Sequence, residues 1–347
     1  MKKRLFVKIF LTVLTLTTLL AGCSAKNTNT NGADTNQNTG TENTQNESDT
    51  QEENSKGANQ EADNNTSTIT VTDARGDVEI PANPERIVDL SGNSDILSIL
   101  GFKVVGTANS DAYDYTKFPT YLEDVLKGAA IVGYSMQDTM DIEGIMNLNP
   151  DLIIISTVQE KMYEQLQEIA PTIMIQLEAL NWKDDVRTFA KLFNKEIEAD
   201  TWILEYENKA KESGDKVKAA IGENTTYLAF LASGGQFYVF DGAGFGSVLY
   251  EDMGLAKPEG MPEQSDISLP VVTYEGLAEI KADEIFVLAT DEDLTALNEN
   301  AVWKSIPAVK EGNIINLPAS PYFVQGYSSI GRDLLINEIV ELLNGQK

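Results

Sequence analysis

From residue 68 onward, short apolar runs alternate with longer amphipathic stretches, and the two periodicities predict strands and helices in turn. Ile69-Thr70-Val71-Thr72 alternates as an edge strand does, and Asp73-Ala74-Arg75-Gly76-Asp77 turns after it. Arg86-Ile87-Val88-Asp89-Leu90 then reads as a strand, followed by a helix to Leu100 and a strand at Val104-Val105-Gly106. The series continues with Ile131-Val132, a helix over 142–148, Leu152-Ile153-Ile154-Ile155, a helix ending at Ile169, and a strand over 172–175. Strands made almost wholly of Val, Ile and Leu, with helices between them, predict a parallel sheet covered on both faces. The rhythm returns after residue 225, with strands expected over 227–232, 237–240, 284–288 and 313–317. The expected fold class is therefore α/β: two Rossmann-like lobes with parallel sheets, over 68–182 and 222–347.

Residues 183–221 interrupt the alternation. From 184 the pattern is helical and free of proline, with Val186, Phe189 and Phe193 on one stripe and Trp202, Tyr206, Ala210 and Val217 on another. The stretch 199–220 alone would span roughly 33 Å as a helix, long enough to join two lobes across a ligand cleft. Its charged residues, Glu205, Glu207, Lys209, Lys211 and Glu212, are expected to make a solvated face.

Ahead of the fold the pattern changes twice. Lys2, Lys3, Arg4 and Lys8 lead into an apolar run ending Leu20-Ala21-Gly22-Cys23. A run that short and that early predicts a secretory signal peptide over 1–22, and its end resembles a bacterial lipobox, which implies lipidation of Cys23. Residues 23–67 are dominated by Asn, Thr, Gln, Ser, Gly and acids, too polar to offset the entropy of ordering, and are expected to form a disordered tether. No later apolar run is long enough to cross a bilayer. The expected location is the extracytoplasmic face of the cell membrane, held through the lipid alone.

Composition narrows the chemistry. The chain has no histidine and one cysteine, which excludes Ser-His-Asp, Cys-His and zinc-histidine sites as well as disulfides within the chain. A formal net charge of -28 makes nucleic acid an unsuitable partner. Gly242-Ala243-Gly244-Phe245-Gly246 lacks the spacing of a phosphate-cradling loop. Gly326-Tyr327-Ser328-Ser329-Ile330-Gly331 has Ile330 where a nucleophile elbow requires its second glycine. An enzyme built on paired carboxylates is the alternative that composition leaves open.

Several segments, in order, carry a resemblance. They are Pro84-Glu85-Arg86-Ile87-Val88, the stretch 97–101, Asp141-Ile142-Glu143, Asn149-Pro150-Asp151-Leu152-Ile153, Ala170-Pro171-Thr172 and Trp182-Lys183-Asp184-Asp185. Val248-Leu249-Tyr250, Gly254-Leu255 and the stretch 303–312 follow. In order and spacing the chain resembles the periplasmic-binding-protein group that serves iron-siderophore and cobalamin ABC importers. The resemblance implies a rigid two-lobe clamp joined by one helix over 183–221, with the ligand cleft between the lobes. It further implies a monomeric receptor, not an enzyme, that delivers a ferric siderophore to ABC permease subunits. Iron would arrive inside the chelate, so no resident cofactor or metal is expected. Cobalamin or haem is the alternative cargo on the same scaffold. Glu143 and Glu275 match the family's permease-docking positions.

Ligands of open α/β sheets sit beyond the carboxyl ends of the strands. The loops expected there supply Asn93, Tyr113, Tyr134, Gln159, Trp182, Phe245, Tyr322, Phe323 and Tyr327 as candidate ligand contacts, with Tyr115 on the same rim. Arg187 and Arg332 are the candidate cations. Ala243 and Phe245 stand where some hydroxamate-binding relatives carry Trp and Arg. Rim loops this poor in Lys and Arg favour a neutral or weakly charged, hydroxamate-like chelate over an anionic one.

Overall fold

The computed structural model describes residues 67–177 and 180–345; the signal, Cys23 and the tether short of its last residue lie outside the described residues. A two-stranded antiparallel hairpin, β1 (Thr68–Asp73) and β2 (Gly76–Pro81), opens the fold. Its turn is fastened to the next sheet by the Ala74 N–H on Met174 O, at 2.9 Å, and by the Asp73 carboxylate on the Met174 N–H, at 2.6 Å.

β3 (Ile87–Asp89), β4 (Val104–Thr107), β5 (Ala130–Ile131), β6 (Leu152–Ser156) and β7 (Thr172–Ile175) form the first five-stranded sheet, in the order β5-β4-β3-β6-β7. Every pairing in it is parallel. All residues of β6 and β7 are buried, as their uninterrupted apolar runs require when helices cover both faces. Those helices include α1 (Ser94–Ile99), α2 (Ile142–Asn147) and α3 (Tyr163–Gln167).

The helix expected over 183–221 is two helices. α4 (Trp182–Leu192) ends before Asn194, which adopts the left-handed region at φ 52°, and the Lys195 N–H closes back onto Ala190 O at 2.9 Å. That is a Schellman-type cap, which Asn tolerates better than other side chains. α5 (Glu196–Ile221) is the element shared by both halves. Ala199 and Ile203 pack into the core beneath the first sheet, and Tyr206, Ala210 and Val217 into the core of the second.

The second sheet is mixed. β8 (Tyr227–Ser233), β9 (Gln236–Val239), β10 (Val271–Val272), β11 (Glu284–Ala289) and β12 (Ile314–Pro318) lie in the order β10-β9-β8-β11-β12. β8, β11 and β12 are parallel, but β9 returns antiparallel to β8 through Gly234 (φ 59°) and Gly235 (φ 78°), the geometry a two-residue hairpin demands. The loop after β9 therefore leaves from the edge opposite to the loops after β8, β11 and β12. Helices α6 (Gly244–Ser247), α7 (Tyr274–Glu279), α8 (Asp291–Glu299), α9 (Pro307–Glu311), α10 (Ala319–Gln325) and α11 (Ser329–Asn344) complete this half.

Gly214, inside α5, marks where a neighbouring backbone comes closest: a Cβ there would lie 1.8 Å from Met253 O. Gly214→Ala, which stabilises an exposed helix, is expected instead to cost about 1–3 kcal/mol through overpacking. Thermal unfolding checks this as a lowered midpoint; an unchanged or raised midpoint would show that the α5 contact yields freely.

Candidate functional site

Because the first sheet is wholly parallel, the loops after its five strands gather at one edge. Large apolar side chains that are normally buried stand exposed on four of those loops. Tyr113 (46%) and Tyr115 (48%) follow β4, Met136 (69%) follows β5, Val158 (39%) follows β6 and Leu180 (41%) follows β7. Such a concentration of exposed apolar side chains on one edge marks a contact surface.

The floor beneath this rim is polar and closely hydrogen-bonded. Asp89, fully buried at the end of β3, accepts the N–H groups of Ser91 and Asn93, each at 3.0 Å, and the hydroxyls of Ser91 and Ser94, each at 2.6 Å. Burial pushes its carboxyl pKa up, against the pull of those donors. The Asn109 amide donates to Gly92 O at 2.7 Å and accepts the Ser94 N–H at 3.0 Å. Asn93 is half-buried, its own amide turned onto Ser91 O at 3.2 Å.

Tyr115 and Tyr134 stack with ring centroids 4.6 Å apart. Tyr113 stands near them, its pKa pushed up to about 12 by desolvation first and by Asp293, Asp111 and Tyr134 after that. Tyr134 is raised by burial, then by Tyr115 and Asp111. The Tyr113 and Tyr134 phenols therefore stay protonated at neutral pH as hydrogen-bond donors, and the Tyr115–Tyr134 pair offers a stacking face.

Two carboxylates of the first half reach the second half at this edge. Asp111 holds the Tyr113 and Asp114 N–H groups with Oδ1, at 2.8 and 2.9 Å, and takes the Ser320 hydroxyl with Oδ2. Asp95, buried on α1, accepts the Ser328 hydroxyl at 2.7 Å and the Ile330 N–H at 3.2 Å, at the start of α11. Their partners lie 209 and 233 residues away in sequence, so no local pattern identifies either carboxylate as an interlobe contact.

The candidate set from the sequence divides. Asn93, Tyr113 and Tyr134 come together on the loops of the first sheet. Tyr327 lies against Gly244, where a Cβ would sit 2.6 Å from the ring, and Phe323 packs 6.4 Å from Phe240. Phe245 is not on a rim: it is fully buried, 5.2 Å from Phe286 and 6.4 Å from Phe240, its ring turned into the core of the second half. Gln159 is fully buried as well. It closes a capping box with Ser156, and its amide donates to Ser135 O at 2.7 Å and Gln137 O at 2.9 Å, so it ties two rim loops together rather than facing outward.

Trp182 is half-buried, in T-shaped contact with Tyr206 at 4.8 Å and Trp202 at 5.9 Å, with the Arg332 guanidinium over its ring at 5.1 Å. Arg332 itself is buried, paired with Asp252 at 2.6 Å and donating to Gly326 O at 2.6 Å and the Ser247 hydroxyl at 2.9 Å. Arg187 is spent between α4 and α5 on Asp200 at 3.0 Å and Asp184 at 3.4 Å. Tyr322 lines a cavity of about 430 Å³ with Glu338 and Glu341, roughly 15 Å along α11 from its interlobe start. The two cations and, among the aromatics, Phe245 and Trp182 are thus engaged within the scaffold.

Glu143 and Glu275 are both exposed and occupy matching places. Glu143 lies in the first turn of α2, whose cap Asp141 accepts the Gly144 N–H at 2.9 Å; Glu275 lies in the first turn of α7, whose cap Thr273 accepts the Gly276 N–H at 3.3 Å. Among the described residues, no three His, Cys, Asp or Glu side chains are grouped to hold a metal ion, and no helix is long and apolar enough to cross a membrane.

A family model described as "Periplasmic binding protein" matches residues 90–321. The chain is 31% identical to "Probable siderophore-binding lipoprotein YfiY" of Bacillus subtilis, over 72% of this chain and 79% of that protein. It is 29% identical to the iron(3+)-hydroxamate-binding protein FhuD of Bacillus subtilis, over 78% and 86%. Staphylococcus aureus SirA, solved in complex with staphyloferrin B, superposes with a TM-score of 0.64 at 25% identity, covering 80% of this chain and 99% of that one.

Proposed function

The chain belongs to the periplasmic binding protein family, and from that membership we propose that it is the receptor of an ABC importer for a ferric siderophore, not an enzyme. The observation that carries the reading is the rim on the first sheet, where exposed apolar side chains stand beside protonated tyrosines. Two lysines of these segments are already paired, Lys117 with Asp114 at 2.7 Å and Lys161 with Asp138 at 3.1 Å. Such a surface stacks on and donates hydrogen bonds to a neutral or weakly charged chelate, and it offers little to a strongly anionic one. A hydroxamate-type complex fits, since three hydroxamates neutralise the iron. Asn93, Tyr113, Tyr115 and Tyr134 are the proposed contacts from this half, with Phe323 and Tyr327 from the other.

The receptor acts as a monomer, anchored outside the membrane through lipidated Cys23, with iron present only inside its cargo. Glu143 and Glu275 dock it to the permease. Calorimetric titration with a ferric trihydroxamate and a ferric tris-catecholate tests the ligand class. Submicromolar binding of the hydroxamate and much weaker binding of the catecholate is expected; the reverse order overturns it.

A further inference from the structure

Beside the stacked tyrosines lies a cavity of about 290 Å³ whose walls include Tyr115, Tyr134, Gln137, Thr139, Met140 and Asp141. Pockets that take a whole drug-sized ligand run from roughly 300 to 1,000 Å³, so this one suits a side arm rather than a bulky chelate. Its walls include two phenol rings and a polarizable thioether, and Asp141 is the one acidic side chain among them. No lysine or arginine lines it. Asp141 Oδ1 is engaged with the Gly144 N–H at 2.9 Å, and Oδ2 has no donor among the described residues. α2, which Asp141 caps, spans six residues, and its partial dipole charge falls short of a full carboxylate charge. The cavity adjoins the interlobe contacts, since Tyr134 feels the charge of Asp111, the carboxylate that holds Ser320.

We propose that this cavity is a side-arm subsite for an alkylammonium group carried by the chelate, seated between the Tyr115–Tyr134 pair and the Asp141 carboxylate. Aromatic faces and a carboxylate both attract a cation and repel an anionic arm. A primary amine, with a pKa of about 10.4, carries its charge at neutral pH. The subsite rests on the chelate reading above and adds to it the charge of the ligand's tail.

The experiment titrates the full chain and Asp141→Asn with a ferric linear trihydroxamate bearing a free terminal amine, and with its N-acetylated form. Asparagine caps a helix as well as aspartate does, so the variant keeps α2 while losing the charge, and an unchanged thermal midpoint verifies that. Acetylation is expected to weaken binding to the natural chain roughly tenfold and to weaken binding to Asp141→Asn clearly less, since that variant keeps the tyrosine faces and loses only the charge. Equal affinity of the natural chain for both complexes overturns the subsite, as does a preference of undiminished size in Asp141→Asn. If neither complex binds the natural chain, the chelate reading itself fails, and the subsite falls with it.

Discussion

Arg332→Ala is expected to destabilise the protein by about 3–5 kcal/mol, the usual cost of stranding one partner of a buried ion pair. Arg332 and Asp252 are almost fully buried, and the pair is knitted to Gly326 O, the Ser247 hydroxyl and the Tyr206 hydroxyl, which donates to Asp252 at 2.5 Å. Removing the guanidinium leaves a carboxylate in a low-dielectric site with Tyr206 as its remaining hydrogen-bond donor. It also takes the cation from the face of Trp182, which packs between the two cores. Replacing the pair together, as Arg332→Met with Asp252→Leu, is expected to recover most of the loss, because apolar side chains of similar volume substitute well for a buried pair. Urea unfolding of the single and double variants measures both effects. A small loss from Arg332→Ala, with a large loss of chelate affinity, would return Arg332 to the ligand site that the sequence proposes for it.

That contrast shows where sequence reasoning reaches and where it stops. β6 and β7 are legible because every residue in them is buried, and burial on both faces leaves an uninterrupted apolar run. The direction of β9 is harder to read, since the same residues make a strand in either sense. Gly234-Gly235 was the available signal for a hairpin. Phe245 shows the other limit, since a loop aromatic and a core aromatic have the same sequence signature until its ring neighbours, Phe240 and Phe286, are known. The break at Asn194 carries no proline or glycine, and only the left-handed tolerance of asparagine hints at it. Aromatic residues pose a different problem. Tyr113 and Trp182 look alike as loop or helix-start aromatics, and what separates them is whether distant side chains cover the ring. Arg332 and Asp252 meet across 80 residues, and nothing near either one in sequence announces the other.

Glu143→Ala combined with Glu275→Ala is expected to abolish uptake of the iron chelate by cells while leaving chelate affinity of the purified protein unchanged. The two residues repeat one local design on opposite halves of the molecule: a capping side chain, a glutamate two residues on, and a glycine whose N–H donates to the cap. A carboxylate in the first turn of a helix is favoured by the helix dipole, which by itself explains one such residue. The same arrangement on each half, with both side chains exposed, fits a partner that bears two cationic groups and must straddle the molecule. At the rim of an interface an ion pair contributes little, but a desolvated one costs about 2–5 kcal/mol when one partner is truncated. Each single substitution is therefore expected to weaken docking by tenfold or more, and the pair to leave no productive complex. Neither side chain is among the walls of the cavity beside the stacked tyrosines, so loss of chelate binding in the double variant would indicate a structural defect instead of a docking one. Full transport by a stable double variant would refute the assignment. Separating the two readouts matters because α2 also carries Asp141, and only a variant that binds its chelate normally yet fails to deliver it isolates the permease contact.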